Sequence, residues 1–159
     1  MHLIQAHTAN DLETVRTLFR EYQQWLGVNL CFQGFEEEWA TLPGRYAPPQ
    51  GRLLLAQVGE QAAGCVALRP LDAAVCEMKR LFVRPAYRGR GGGRGLATRI
   101  LHEATALGYT VMRLDTLDTL DQPCACTANW ASSAVRPTMP IRCPAWCTGN
   151  GRCRTSNAP

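Results

Sequence analysis

The chain has 159 residues, 46% of them hydrophobic, with 17 basic and 13 acidic side chains giving a formal charge of +4. That suffices for one domain with its own core. No apolar run approaches membrane-spanning length, and the opening MHLIQAHTANDLE lacks the basic-then-apolar layout of a secretory signal, so the expected compartment is the cytoplasm.

The charge is uneven. Three arginines fall between residues 88 and 95, and four follow residue 135, where no acidic residue stands. A basic balance raises the possibility of nucleic acid as a partner, but this clustering fits a small phosphorylated ligand plus an unusual tail better. The 8 cysteines divide similarly. Cys31, Cys65 and Cys76 have apolar neighbours and read as reduced core residues, whereas Cys124, Cys126, Cys143, Cys147 and Cys153 crowd the end.

In chain order, His2 to Ala6 alternates weakly as a first strand. Asn10 and Glu13 have capping-box spacing, and Leu12, Val15, Leu18, Phe19, Tyr22, Trp25 and Leu26 recur at helical spacing until Gly27. A shorter helix is predicted over Phe35 to Thr41, stopped by Pro43-Gly44. Arg52 to Val58, Ala62 to Leu68 and Val75 to Val83 read as an antiparallel meander, with Gly59-Glu60 as its first turn. Leu96, Ile100, Leu101, Ala104 and Leu107 form one helical face ending at Gly108, and Thr110 to Asp115 returns as a parallel strand. There is no internal repeat, and the order βααβββαβ is that of a mixed α/β domain.

Between the third meander strand and the next helix stands Arg88-Gly89-Arg90-Gly91-Gly92-Gly93-Arg94-Gly95. Glycines let successive backbone N–H groups converge, a helix N-terminus adds unpaired donors and a positive dipole end, and arginines supply forked donors for phosphate oxygens. The stretch is suited to a pyrophosphate. It carries neither the Gly-Lys pair of a P-loop nor a G-x-G-x-x-G register. It does satisfy Q/R-x-x-G-x-G/A through Arg88, Gly91 and Gly93. Taken alone it also looks like an RGG-type RNA-binding run, against which its place between strand and helix argues.

With Glu77-Met78-Lys79-Arg80-Leu81 and Val83-Arg84-Pro85 ahead of that loop, the chain resembles the GNAT family of N-acetyltransferases, small bacterial members in particular. The resemblance spans the first three-quarters of the chain. It implies the GNAT fold, a mixed sheet with an antiparallel meander and helices on both faces. It implies transfer of acetyl from acetyl-CoA to a primary amine, small-molecule or peptide, by direct attack in a ternary complex.

The resemblance assigns the pyrophosphate to Arg88, Gly89, Arg90, Gly91, Gly92, Gly93 and Arg94, and the pantetheine arm to backbone N–H groups at Leu81, Phe82 and Val83. Glu77 falls where some members keep a general base. A lysine-like amine is protonated at neutral pH, so a carboxylate that accepts its proton has a use. The bland reading is a solvated strand carboxylate paired with Lys79 or Arg113. Trp25, Trp39 and Tyr46 are candidates to line the acceptor pocket, with core packing as the alternative. His2, His7 and His102 stand apart and carry no metal or triad pattern. The general acid that the family keeps, a tyrosine beyond the last strand named above, is missing, since no tyrosine follows Tyr109.

Past Asp121 the sequence changes character. Residues 122–159 hold five prolines and five cysteines, no acidic residue and no apolar period, so the expected domain is 1–121, followed by a disordered tail lacking the family's last helix and strands. Read one base earlier, the codons for Cys-Thr-Ala-Asn-Trp-Ala-Ser permit Leu-Tyr-Arg-Gln-Leu-Gly-Phe, with Leu-Gly forced, which resembles the A-L-Y-x-x-L-G-F end of the family's missing helix. A one-base slip near Asp121 or Gln122 explains this, and a divergent tail is the alternative. Cys124-x-Cys126 and Cys143-x-x-x-Cys147 have neither the spacing nor the histidines of a usual zinc site. A second class of function stays open at this point, a non-catalytic CoA-binding remnant or an RNA-binding module.

Overall fold

The computed structural model describes residues 1–27, 34–114 and 141–142. Strand β1 (His2–Gln5) leads into helix α1 (Ala9–Leu26) and the short helix α2 (Phe35–Ala40). The meander follows as β2 (Arg52–Val58), β3 (Gln61–Pro70) and β4 (Val75–Val83), then helix α3 (Gly92–Ala106), β5 (Val111–Leu114) and the two-residue β6 (Ile141–Arg142). The sheet runs β1-β2-β3-β4-β5-β6, antiparallel through β4 and parallel from β4 to β5 and from β5 to β6.

Helix α1 is amphipathic and buries Val15, Leu18 and Phe19, the residues the helical spacing selects. Its cap differs from the one read from sequence. Thr8, not Asn10, is the N-cap. Its hydroxyl accepts from the Asp11 N–H at 3.1 Å, and the Asp11 carboxylate accepts from the Thr8 N–H at 3.1 Å. The same reciprocal logic operates two residues earlier, with Asp in place of Glu. Gly27 closes the helix at φ 65°, as its position predicts.

Each face of the sheet covers its own apolar cluster. Under α3 lie Leu54, Val66, Leu68, Cys76, Met78, Leu96, Ile100, Leu101 and Met112. Under α1 and α2 lie Phe19, Phe35, Tyr46, Leu53, Leu55, Cys65 and Phe82. Burial pushes the thiols of both Cys65 and Cys76 up, that of Cys76 to about 12.

Besides the cap, several bounds differ from the sequence reading: β1 ends at Gln5, β3 extends over Gln61–Pro70, and β5 covers Val111–Leu114. Helix α3 begins at Gly92 instead of Leu96, because Gly91 at φ 78° makes the turn into it. Helix α2 ends at Ala40, one residue short of Thr41. Ile141–Arg142 pairs with Met112 and Arg113 of β5, inside a stretch where no element is predicted. Cys31, the five later cysteines, Asp115 and the remainder of 122–159 lie outside the described residues.

Candidate active site

The decisive local event is in β4. Cys65 pairs with Phe82 but Ala67 with Lys79, so β4 carries one extra residue at Arg80–Leu81, and Arg80 adopts φ 57°. Among the described residues Arg80 is the one non-glycine at positive φ. The bulge inverts the alternation. Before it Cys76 and Met78 point to the α3 side; after it Leu81 and Val83 do, while Phe82 turns to α1.

Gly64 on β3 permits this approach, since a Cβ there would fall on the Phe82 carbonyl oxygen. The Arg84 N–H bonds Ala63 of β3 at 2.9 Å, so by alternation the Val83 N–H faces the opposite edge of β4 and that of Phe82 faces β3. The described β4–β5 ladder covers only Val75–Met78, which leaves the edge beyond it to other partners.

Arg80 is held in place by charge and rings. Its guanidinium, 2% exposed, makes a two-pronged ion pair with Glu38 of α2 at 2.8 and 2.9 Å. Phe35 and Tyr22 lie 5.1 and 6.0 Å from it. Burial works against its charge, but Glu38 outweighs burial and raises its pKa.

On the same face Glu77 is 8% exposed. Arg69 Nε donates to its Oε2 at 2.6 Å, while Lys79 Nζ stands 3.9 Å from Oε1, beyond hydrogen-bond reach. The closest partner is thus Arg69, which was not named from sequence, while Lys79, one of the two that were, forms a longer ion pair with the same carboxylate. Arg113 does face Glu77 in register on β5, but its side chain is exposed. Burial pushes the Lys79 ammonium down, with Glu77 working in the other direction.

The three aromatic candidates separate. Tyr46 is 2% exposed, packs edge-on to Phe19, and its hydroxyl has no hydrogen-bond partner among the described residues. Burial, with Glu38 adding, pushes that hydroxyl's pKa up. Trp39 donates its indole N–H to the Arg16 carbonyl at 3.1 Å and lies under Arg20 at 4.4 Å, so it staples α2 to α1. Trp25 alone is exposed, at 42%, and it sits against Phe82 and Arg88.

The glycine loop opens α3 as its composition predicts. Gly89 and Gly91 have φ of 74° and 78°, and no side chain caps the helix. The first N–H groups of α3 have no intrahelical acceptor, and with the dipole they form a site for a negative charge. Arg90 and Arg94 are exposed beside it. Arg88 differs: it is half-buried and its Nε donates to the Val83 carbonyl at 2.8 Å. An open concavity of about 800 Å3 lies along the outer side of α3 between Gly91 and Ala106, lined by Arg94, Thr98, Arg99, His102 and Glu103 and by no residue of β4. The glycine loop, the uncapped start of α3 and the exposed Arg90 and Arg94 fit a pyrophosphate.

Residues 12–125 match the sequence profile of the acetyltransferase (GNAT) family. The chain belongs to the GNAT family. An N-acetyltransferase of Schizosaccharomyces pombe is 44% identical over 112 residues, which make up 69% of each chain. Among solved structures, an acetyltransferase from Streptococcus agalactiae superposes with a TM-score of 0.68 at 22% identity over 80% of each chain. One from Clostridium acetobutylicum, solved with acetyl-CoA, gives 0.61 at 14% identity over 77% of this chain and 84% of its own. As a GNAT protein, the chain is an acyl-CoA-dependent transferase with the mixed sheet of its relatives. No helix among the described residues is long and apolar enough to cross a membrane.

What sequence reasoning missed is the set of long-range ion pairs. Arg84 reaches Glu21 with two bonds of 2.7 Å and the Ala62 carbonyl with a third of 2.7 Å, and Arg80 reaches Glu38 across 42 positions. Nothing in local spacing links residues so far apart.

Proposed function

We propose that this GNAT protein transfers acetyl from acetyl-CoA to a primary amine by direct attack, with both substrates bound together. The observation that carries the reading is the junction of a bulged β4 with a helix whose first turn is glycine-rich and has no side-chain cap. Acetyl-CoA supplies the activated thioester. The chain's own residues bind and orient it: loop N–H groups from Gly89 to Gly93 and the side chains of Arg90 and Arg94 hold the pyrophosphate. The Val83 N–H faces the cleft edge, where a donor stabilises negative charge developing on an acyl oxygen.

Glu77 takes the proton of the attacking amine. Arg69 holds one of its oxygens and so fixes its orientation, while Oε1, with the Lys79 ammonium 3.9 Å away and outside hydrogen-bond reach, accepts the proton directly or through water. Its burial keeps bulk water from competing. The acceptor enters from the α1–α2 side, past Trp25.

The Arg/Gly run forms a strand-to-helix turn here, with α3 starting inside it, and this favours the cofactor over an RNA strand. The test is titration of the purified chain with acetyl-CoA, followed by a panel of primary amines read by free thiol and by mass of the acetylated amine. Saturable binding and acetylation of at least one amine are expected. Turnover is expected to be weak in this chain and stronger in one carrying the alternative reading frame after Asp121. A folded chain that neither binds acetyl-CoA nor releases thiol would sink the reading.

A further inference from the structure

Three arginines spaced four apart along the end of β4 and its loop, Arg80, Arg84 and Arg88, all meet the last two turns of α1. Arg80 lies over Tyr22, Arg84 pairs with Glu21, and Arg88 lies 4.4 Å from the centre of the Trp25 ring. The first two tie down backbone already fixed by the sheet. The third holds the piece of chain where the sheet ends and the glycine loop begins.

Arg88 has the motif position from which a phosphate contact is expected, yet its side chain is otherwise engaged. Its Nε donates to the Val83 carbonyl, and its guanidinium is covered by Trp25 at 4.4 Å and Phe82 at 5.9 Å. Trp25 is itself set by Tyr22 and Phe82, at ring separations of 6.5 and 6.2 Å. In a strand the N–H and C=O of one residue point to the same edge. Holding the Val83 carbonyl therefore also fixes the direction of the Val83 N–H.

We infer that Arg88 and Trp25 are a positioning pair: Trp25 holds the Arg88 guanidinium against the Val83 carbonyl, fixing the strand end and loop for acetyl-CoA, while the phosphate charge is met by Arg90, Arg94 and backbone N–H groups. This deepens the acetyl-CoA reading and rests on it. It makes two predictions that a phosphate-binding Arg88 does not share. Arg88 and Trp25 act as one unit, so their losses do not multiply. Removing Arg88 leaves the salt dependence of binding unchanged, because no exposed charge contact with the ligand disappears.

The experiment is calorimetric titration of the full chain with acetyl-CoA at two salt concentrations, for wild type, Arg88→Ala, Trp25→Ala, the double variant and Trp25→Phe. Arg88→Ala is expected to bind about tenfold more weakly and Trp25→Ala about fivefold, with the double variant no worse than about tenfold. Trp25→Phe recovers most of the affinity, since it keeps an aromatic face. All variants keep the wild-type salt dependence. Multiplying losses, or a shallower salt dependence in Arg88→Ala, would overturn the pairing while leaving the acetyl-CoA site intact. Trp25→Ala, at an exposed position, carries the test if Arg88→Ala does not fold: undiminished affinity overturns the proposal. Wild-type chain that takes up no acetyl-CoA overturns the transferase reading and the pairing with it.

Discussion

The two faces of the sheet solve different problems. On the α3 side the buried residues are apolar, and the surface proposed to bind acetyl-CoA is mostly backbone: glycines and an uncapped helix end, rimmed by Arg90 and Arg94. On the α1–α2 side, charges are buried in pairs, Arg80 with Glu38 and Glu77 with Arg69, beside a Tyr46 hydroxyl without a described partner. A backbone site serves any ligand with the right phosphates, whatever side chains drift around it. A site of paired charges is specific, and each of its members is costly to lose.

That contrast can be broken most forcefully at Arg80. Arg80→Ala leaves Glu38 buried without its partner and removes the clamp on the bulge, at a cost of about 3 kcal/mol. A fall in melting temperature of roughly 6–12 °C is expected for a domain of this size. An unchanged melting curve would show that the pair is not what fixes β4.

Glu77→Gln keeps shape and burial but cannot take a proton. Activity is expected to fall by about 100-fold with acetyl-CoA affinity preserved, which a kcat and KM series on the acetylated amine would reveal. Equal loss of binding and turnover would place Glu77 among the structural ion pairs instead.

Gly64→Ala tests the sheet where its two faces are joined. The added methyl group meets the Phe82 carbonyl, so backbone must shift at a cost of roughly 2 kcal/mol, seen in denaturant melts. On the other face Arg94→Ala is expected to weaken acetyl-CoA by about tenfold, flatten the salt dependence of binding and leave the melting temperature alone.

The smallest effect concerns acid. Partial burial of Glu103 works against its charge, but Arg99 and Arg52 outweigh it and hold its carboxyl below the usual range. A depressed folded pKa contributes stability that is present above the ordinary glutamate value of roughly 4.3 and is lost as pH falls through the lower folded value. Glu103→Gln should therefore narrow the stability difference between pH 6 and pH 3, and an identical pH profile would refute this role.

Much of this was legible in the sequence for one physical reason: periodicity and glycine placement act over a few residues. The spacing of Val15, Leu18 and Phe19 gives α1, and Gly91 at the mouth of α3 gives the turn into that helix. The bulge was not legible, because it depends on Gly64 admitting the β4 backbone from another strand. The cap was misread because Asn10-Glu13 and Thr8-Asp11 have identical spacing, and only the extended backbone of Thr8 decides between them. Trp25 and Trp39 look alike on helical spacing and end in different roles, one on Arg88 and one against α1.

Among the described residues, two buried cysteines give each face a clock. Cys65 lies against the Arg80 carbonyl on the α1–α2 side, and Cys76 lies in the cluster under α3. Neither thiol forms the reactive thiolate while covered, so each is alkylated only when its own layer opens. Peptide-resolved alkylation rates at Cys65 and Cys76 therefore time the opening of the two layers separately in one sample. Acetyl-CoA should slow the clock on the side it grips.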